Sequence, residues 1–266
     1  MDGEIIRTNI NKNGFVSVIV SQNTYKTVII TYGPTGKELF KYYLSNSYVI
    51  DTDISNDNKN LAIAEINADG TVVQSGIRVL SIEKLQNENE NALVYQKMDS
   101  MNKTITDIKY NNANNLIIMY DNEINILNNN EEKKLMEFSP DYLFADIGLK
   151  KSVALLKQKI ENEEIKSEIE LLNTVTNKKS EYIIDEIAKE IITNNRNIVV
   201  NTGTQIYFIS DNAILKKKYK SKQEIKEIVS ELRKDMKIEE DPEEDIKSNL
   251  KETSGKDIIS YTKMGE

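Results

Sequence analysis

The stretch IDTDISNDNKNLAIA, residues 50–64, contains the pattern that decides the fold. The pair Asp53-Ile54 is followed by a short polar run and then by the apolar run Leu61-Ala62-Ile63-Ala64. The same signal, a polar or acidic residue followed by isoleucine, places isoleucine at positions 10, 54, 108, 147, 191 and 228, which are 44, 54, 39, 44 and 37 residues apart. A period near 40–45 residues is typical of a propeller blade of four short strands.

Each interval divides into four strand-like segments separated by turn signals such as Asn13-Gly14 and Asp211-Asn212. The second segments, such as Leu116 to Tyr120, are almost continuously apolar, which predicts sheets that are covered on both faces. The fourth segments carry more lysine and glutamate, which predicts an exposed outer edge. We therefore predict an all-β chain, a β-propeller or propeller arc of about five four-stranded blades. The domain spans residues 1–229, with blades near 5–49, 50–103, 104–142, 143–186 and 187–223.

Three features leave alternatives open. A two-sheet sandwich also gives many short strands with regular turns, but it lacks a repeated four-strand unit. Segments Lys157–Leu172 and Ile183–Ile192 have a helix-like composition, yet their equivalence to strands in other repeats favours strands. Ser221–Met236 fits either an inner strand with a tail or a capped helix. Residues 230–266 are acidic and charged, and we predict a partly helical or disordered tail there.

The composition excludes several kinds of chemistry. The chain has no cysteine and no histidine, so disulfides, thiolate or histidine metal sites, cysteine nucleophiles and Ser-His-Asp triads are excluded. The net charge is −8, and acidic and basic residues are interspersed, so we expect no nucleic-acid binding. No stretch approaches the roughly 18 apolar residues of a membrane span. Met1 opens no signal peptide, because charged residues interrupt the apolar run.

The acid that recurs beside the isoleucine is the most prominent candidate constellation. On inner strands these side chains could ring a channel and bind a hard cation through carboxylate oxygens. The alternative, which we favour, is that they start each inner strand and accept hydrogen bonds from turn amides. The residues are Asp53, Asp107, Asp146, Glu190 and Glu227.

Three further motifs have ordinary structural explanations beside a functional one. The acids between Asp51 and Asp57 resemble a calcium loop, but an EF-hand needs glycine at its sixth position and an acid at its twelfth, and the chain has Asn56 and Ala62 there. Residues 33–37, GPTGK, lack phosphate-loop spacing, so we predict a β-turn. The tyrosines Tyr42, Tyr43 and Tyr48 can form a binding surface, although strand tyrosines more often pack.

Three runs carry a family resemblance: residues 25–44 (YKTVIITYGPTGKELFKYYL), residues 50–64, and residues 105–125 (ITDIKYNNANNLIIMYDNEIN). Together they resemble an uncharacterised family of clostridial-type Gram-positive proteins, over roughly residues 10–229. Those proteins carry an N-terminal membrane anchor followed by a propeller-like domain. The resemblance implies an extracytoplasmic location at the cell envelope and brings no catalytic signature. The run from Ile54 to Ala62 is also similar to the first hairpin of propeller blades.

These observations predict a non-catalytic interaction module at the cell envelope that binds protein or glycan. We assign no catalytic, cofactor-binding or metal-binding residue and no cofactor. One alternative is a carboxylate-dependent glycan-active enzyme, which would need two carboxylates roughly 5–10 Å apart in a cleft. Another is a cytoplasmic scaffold.

Overall fold

The structure, a computed structural model, describes residues 3–68, 73–87, 91–100, 103–111, 114–139, 141–161, 164–194, 196–222 and 225. Apart from one short helix, the regular structure of these residues is all β, and the strands form five four-stranded antiparallel sheets. In every sheet the four strands lie side by side in chain order. The predicted all-β fold of four-stranded repeats is confirmed.

The chain divides into two compact units, Met1–Ser139 and Pro140–Glu266. The first unit holds three sheets. Sheet 1 consists of β1 (Glu4–Ile10), β2 (Val16–Ser21), β3 (Thr27–Tyr32) and β4 (Glu38–Leu44); sheet 2 of β5 (Ser47–Ile54), β6 (Asn60–Asn67), β7 (Gln74–Ser81) and β8 (Leu93–Ser100), with helix α1 (Ile82–Gln86) between the last two; and sheet 3 of β9 (Ile105–Tyr110), β10 (Leu116–Tyr120), β11 (Glu123–Asn128) and β12 (Glu131–Glu137).

The second unit holds two sheets. Sheet 4 consists of β13 (Tyr142–Asp146), β14 (Ser152–Glu161), β15 (Glu164–Asn173) and β16 (Lys179–Ile184), and sheet 5 of β17 (Glu190–Asn194), β18 (Asn197–Asn201), β19 (Gln205–Ser210) and β20 (Leu215–Lys220). The segment 157–172, whose composition could suit a helix, therefore lies in an antiparallel hairpin. Residues 226–236 and the predicted tail 230–266 lie outside the described residues.

Sheet 2 shows why the second strands are so apolar. Successive side chains of a strand point to opposite faces. On β6, Leu61 and Ile63 belong to the apolar core that sheet 2 shares with sheet 1. Ala62 and Ala64 belong to the core that sheet 2 shares with sheet 3. All four side chains are fully buried, so this strand has no face left for water.

Sheets 4 and 5 bury their faces against each other in the same way. One apolar core joins Leu156 and Ile169 of sheet 4 to Ile198, Val200 and Ile209 of sheet 5. Each of these side chains is fully buried. A single four-stranded sheet cannot cover its own apolar faces, and stacking against a neighbour covers them.

The turns between the first and second strands of unit 1 explain some of the frequent asparagines. Gly14, Asn58 and Asn114 occupy the same place in three such turns, with φ of 81°, 61° and 58°. Each of them donates its backbone amide to the carbonyl three residues earlier, at 2.9–3.1 Å. Glycine and asparagine tolerate this left-handed conformation better than other residues.

Helix α1 interrupts the four-strand repeat of sheet 2 directly after its third strand. The strand ends at Ser81, because the Ser81 hydroxyl accepts a hydrogen bond from the Lys84 amide and so caps a helical turn. The buried Ile82 then contributes to the core between sheets 1 and 2 from a helix. Among the described residues no helix is long and apolar enough to cross a membrane.

Candidate functional site

Asp51 and the predicted acid Asp107 lie on the first strands of neighbouring sheets and take part in one polar network. Asp51 of β5 is buried, and its Oδ1 accepts a hydrogen bond from Asn9 Nδ2 at 2.7 Å and pairs with Arg7 Nε at 3.1 Å. Its Oδ2 accepts the Ile108 amide of β9 at 3.2 Å. Asp107 Oδ1 accepts from Arg7 Nη2 at 3.4 Å. One carboxylate thus connects strands of three sheets.

Asp53 connects the first strands of sheets 2 and 3 through both of its oxygens. Its Oδ2 accepts the Tyr110 amide at 2.7 Å, and its Oδ1 pairs with Lys109 Nζ at 3.1 Å. Burial raises the pKa of Asp53, and the charge of Lys109 opposes that rise. Burial alone would lower the pKa of Lys109, but the carboxylate outweighs it and the pKa of Lys109 is raised. Both oxygens of Asp53 are therefore occupied by partners from β9.

Asp146 plays the equivalent part in unit 2. Its Oδ2 accepts the Thr193 amide of β17 at 3.1 Å, and its Oδ1 accepts the Thr193 hydroxyl at 2.5 Å. It also accepts the Gly148 amide at 2.7 Å. Glu190 is the first residue of β17 and is half-buried. Glu227 lies outside the described residues.

Asp53 and Asp146 thus hold strands together, but their main partners differ from those predicted. Asp53 accepts a hydrogen bond from an amide on the first strand of the next sheet, where a turn amide was predicted. Asp146 accepts one hydrogen bond from the first strand of the next sheet and one from the nearby Gly148 amide. Such a bond satisfies an amide that would otherwise be buried without a partner. Within the described residues, no group of three or more acids is arranged to hold a metal ion.

The two loop motifs are turns. Asp57 Oδ1 accepts from the Ser55 hydroxyl at 2.6 Å and from the Lys59 amide at 3.2 Å, which closes the β5–β6 turn. Gly36 has φ of 78° and donates its amide to the Gly33 carbonyl at 2.9 Å. The prediction of a β-turn over residues 33–37 is confirmed.

A surface of a different character lies where the chain passes from sheet 1 to sheet 2. The rings of Tyr25 and Tyr43 meet with centroids 4.8 Å apart and planes inclined at 47°. Lys26 Nζ lies 5.1 Å from the centre of the Tyr48 ring and 3.4 Å from the Asn46 carbonyl oxygen. Tyr43 and Tyr48 are 49% and 51% exposed. We call these five residues the tyrosine patch.

Tyr42, the chain neighbour of Tyr43, is held by buried contacts. Tyr42 points to the opposite face of β4 from Tyr43 and packs on the core between sheets 1 and 2. Its hydroxyl accepts from Arg78 Nη1 at 2.8 Å, and Arg78 pairs with the fully buried Glu65 at 2.9 Å. Of the three tyrosines that the sequence singled out, two are therefore exposed in the patch and one packs.

A shallow cleft of about 450 Å³ lies at the opposite ends of the strands, between the β5–β6 turn and α1. Phe15, Ile82 and Val94 provide its apolar surface, and Lys59 and Lys84 lie among its polar residues. The cleft offers fewer aromatic rings than the tyrosine patch, which makes the patch the better candidate for a contact surface.

Comparison with known proteins places the sequence in a family. Residues 1–247 match the family described as "Family of unknown function (DUF5711)". The chain belongs to this family. A comparison with curated proteins gave no significant match.

Among solved structures, the chain resembles β-propellers. Hsv2 of Kluyveromyces lactis is 10% identical, with a TM-score of 0.56 over 86% of this chain and 68% of that protein. A second structure of Hsv2 gives a TM-score of 0.55 over 83% and 65%. An acylaminoacyl peptidase of Pyrococcus horikoshii is 12% identical, with a TM-score of 0.52 over 84% of this chain and 38% of the peptidase. At these identities the likeness concerns the fold, and it identifies the sheets as propeller-type blades.

Proposed function

We propose that this chain is a non-catalytic interaction module that acts at the cell envelope and binds a protein or a glycan through the tyrosine patch. The exposure of Tyr43 and Tyr48 carries this proposal, because about half of each side chain is left in water although aromatic and cationic neighbours hold the rings in place. Tyrosine combines a large apolar ring with a polar hydroxyl, which is why it is enriched in binding surfaces.

The state of the carboxylates supports a binding role over a catalytic one. A glycosidase-type acid needs a raised pKa and a substrate-facing position in a cleft. Asp53 has a raised pKa, but both of its oxygens are engaged by β9. The carboxylates of Asp51 and Asp146 likewise accept hydrogen bonds from amides of neighbouring strands. The envelope location rests on the resemblance of residues 25–44, 50–64 and 105–125 to anchored propeller-like proteins.

Replacing Tyr43 and Tyr48 together by alanine is expected to weaken binding to isolated cell-envelope fractions of the source organism by about tenfold or more. The loss of a single aromatic anchor can cost about 2 kcal/mol, and about 1.4 kcal/mol already corresponds to a factor of ten. Labelled purified protein is titrated against the fractions, and the bound amount is measured after sedimentation. Val175→Ala removes an exposed apolar side chain, 68% exposed, in the other unit and is the control that should bind like the wild type.

Two results would count against this function. The first is a double variant that binds the envelope fractions as tightly as the wild type. The second is turnover in a screen of glycan substrates, abolished when Asp51 is changed to Asn, because a non-catalytic module has no activity to lose.

A further inference from the structure

The hairpin of β14 and β15 extends beyond the rest of sheet 4. Both strands have ten residues, whereas β13 has five and β16 has six. The pairing of β13 reaches Lys157, and that of β16 reaches Ser167. Residues 159–161 and 164–166 therefore pair with each other alone, among the described strands. We call these residues the sheet 4 arm.

The arm exposes an apolar pair. Ile160 and Ile165 lie directly opposite each other, 77% and 45% exposed. Directly opposed side chains share one face of a hairpin. Ile160 is thus among the most exposed large apolar side chains described, and it lies on an edge strand whose backbone groups have no strand partner on the outer side among the described strands.

The charges of the arm are mismatched within the hairpin. Lys159 lies opposite Lys166, and Glu161 lies opposite Glu164. Like charges directly opposite each other destabilise a pair of strands. The charge of Lys166 is balanced by ion pairs of 3.2 Å with both Glu161 and Asp185. Lys159 has a longer ion pair, 3.7 Å, with Glu168.

From this edge we infer that two copies of the chain associate by pairing their β14 strands antiparallel, with Ile160 on the two-fold axis. In that register Lys159 lies opposite Glu161 of the second copy, and Glu161 lies opposite Lys159 of the second copy. Between the two copies, lysine therefore lies opposite glutamate, whereas within each hairpin like charges lie opposite each other. The two Ile160 side chains meet, and each has its own Ile165 beside it. A two-fold interface of this kind is self-complementary and closes on itself.

The other edge of the arm is less suited to this role. Asp185, which follows β16, contacts Lys166 of β15 and so lies beside that edge. The exposure of Ile165 is also the smaller of the two. The pairing of a few residues per copy belongs to the weak, transient interfaces that bury less than about 1,200 Å². We therefore expect weak, concentration-dependent self-association.

The charge pairing can be tested by exchanging the two residues. Lys159→Glu and Glu161→Lys should each weaken self-association by about tenfold or more, because each variant brings like charges together at both positions. A mixture of the two variants should associate like the wild type, since the two acids that one variant carries at positions 159 and 161 then face the two lysines of the other. Sedimentation velocity over a concentration series measures the association.

Lys178→Glu reverses an exposed charge in the connection between β15 and β16 and should leave association unchanged. A wild type that stays monomeric to millimolar concentration overturns the inference. So do single variants that associate like the wild type, or a mixture that does not restore association. Circular dichroism of each variant shows that the sheet has folded.

A cysteine cross-link gives a second, independent readout, because the chain has no cysteine of its own. Opposed residues of an antiparallel pair have Cα atoms about 4.5–5.5 Å apart, within the range of a disulfide. Ile160→Cys should therefore form a covalent dimer when diamide is added as oxidant. Ile165→Cys, which lies off the axis, should cross-link far more slowly. Equal rates for the two variants would contradict the register.

Discussion

Ile63→Ala is expected to lower the free energy of unfolding by about 2–5 kcal/mol. The side chain is fully buried, and its neighbours cannot move far enough to fill the cavity that the substitution leaves. Ala64→Leu, on the opposite face of β6, is expected to cost about 1–3 kcal/mol through overpacking against sheet 3. The two substitutions together test whether both faces of sheet 2 are covered. Urea denaturation of the purified variants measures both effects.

The second substitution distinguishes blades from a sandwich. In a two-layer sandwich one face of β6 would be exposed, and one of the two changes would then alter stability by less than about 0.5 kcal/mol. Ile6→Ala, at a site that is 55% exposed, is the control for a mere loss of aliphatic surface and should lie within that margin.

Asp53→Ala is expected to destabilise the chain by about 2–3 kcal/mol. The change leaves the Tyr110 amide without its acceptor and Lys109 without its counter-ion. The contribution of the ion pair is reduced by solvent, since 36% of the Lys109 side chain is exposed. Asp53→Asn keeps the volume of the side chain and should still destabilise, because its NH2 group replaces one of the two oxygens and then faces either the Tyr110 amide or the Lys109 ammonium, both of which are donors. Thermal and urea unfolding measure both variants.

Asp185→Ala removes a carboxylate that is 84% exposed and should change the stability by no more than about 0.5 kcal/mol. If Asp53→Ala unfolded at the same urea concentration as Asp185→Ala, the structural role of Asp53 would be refuted. A carboxylate kept for ligand binding would show the opposite sign, because removing such a group often raises stability.

The repeat could be predicted from the sequence because it depends on local patterns. The apolar run Leu61 to Ala64 predicts a strand covered on both faces, and the structure shows one core on each side. The segment 157–172 shows the limit of composition, since its glutamates and lysines suit a helix and only pairing with other strands decides the matter. Helix α1 was missed because its one signal, Ser81 as a cap, falls inside an otherwise strand-like run.

The partners of the acids on neighbouring sheets could not be predicted, because each of those partners lies far along the chain. Asp53 and Tyr110 are 57 residues apart, and Asp146 and Thr193 are 47 apart. A repeat shows that an acid recurs, but it does not show which strand lies beside it. The composition of the tyrosine patch could be predicted only in part, for the same reason. Tyr43 and Tyr48 were singled out by type, whereas the contribution of residues 25 and 26 depends on how β3 and β4 pair.

Hydrogen exchange at the Tyr110 amide is the most direct test of the claim that first-strand carboxylates hold neighbouring sheets together. The amide should exchange slowly in the wild type, because it donates to Asp53 across the boundary between sheets 2 and 3. In Asp53→Ala it should exchange many-fold faster, and by a larger factor than the amides of β2, which report the general loss of stability. An unchanged rate at Tyr110 in that variant would contradict the claim.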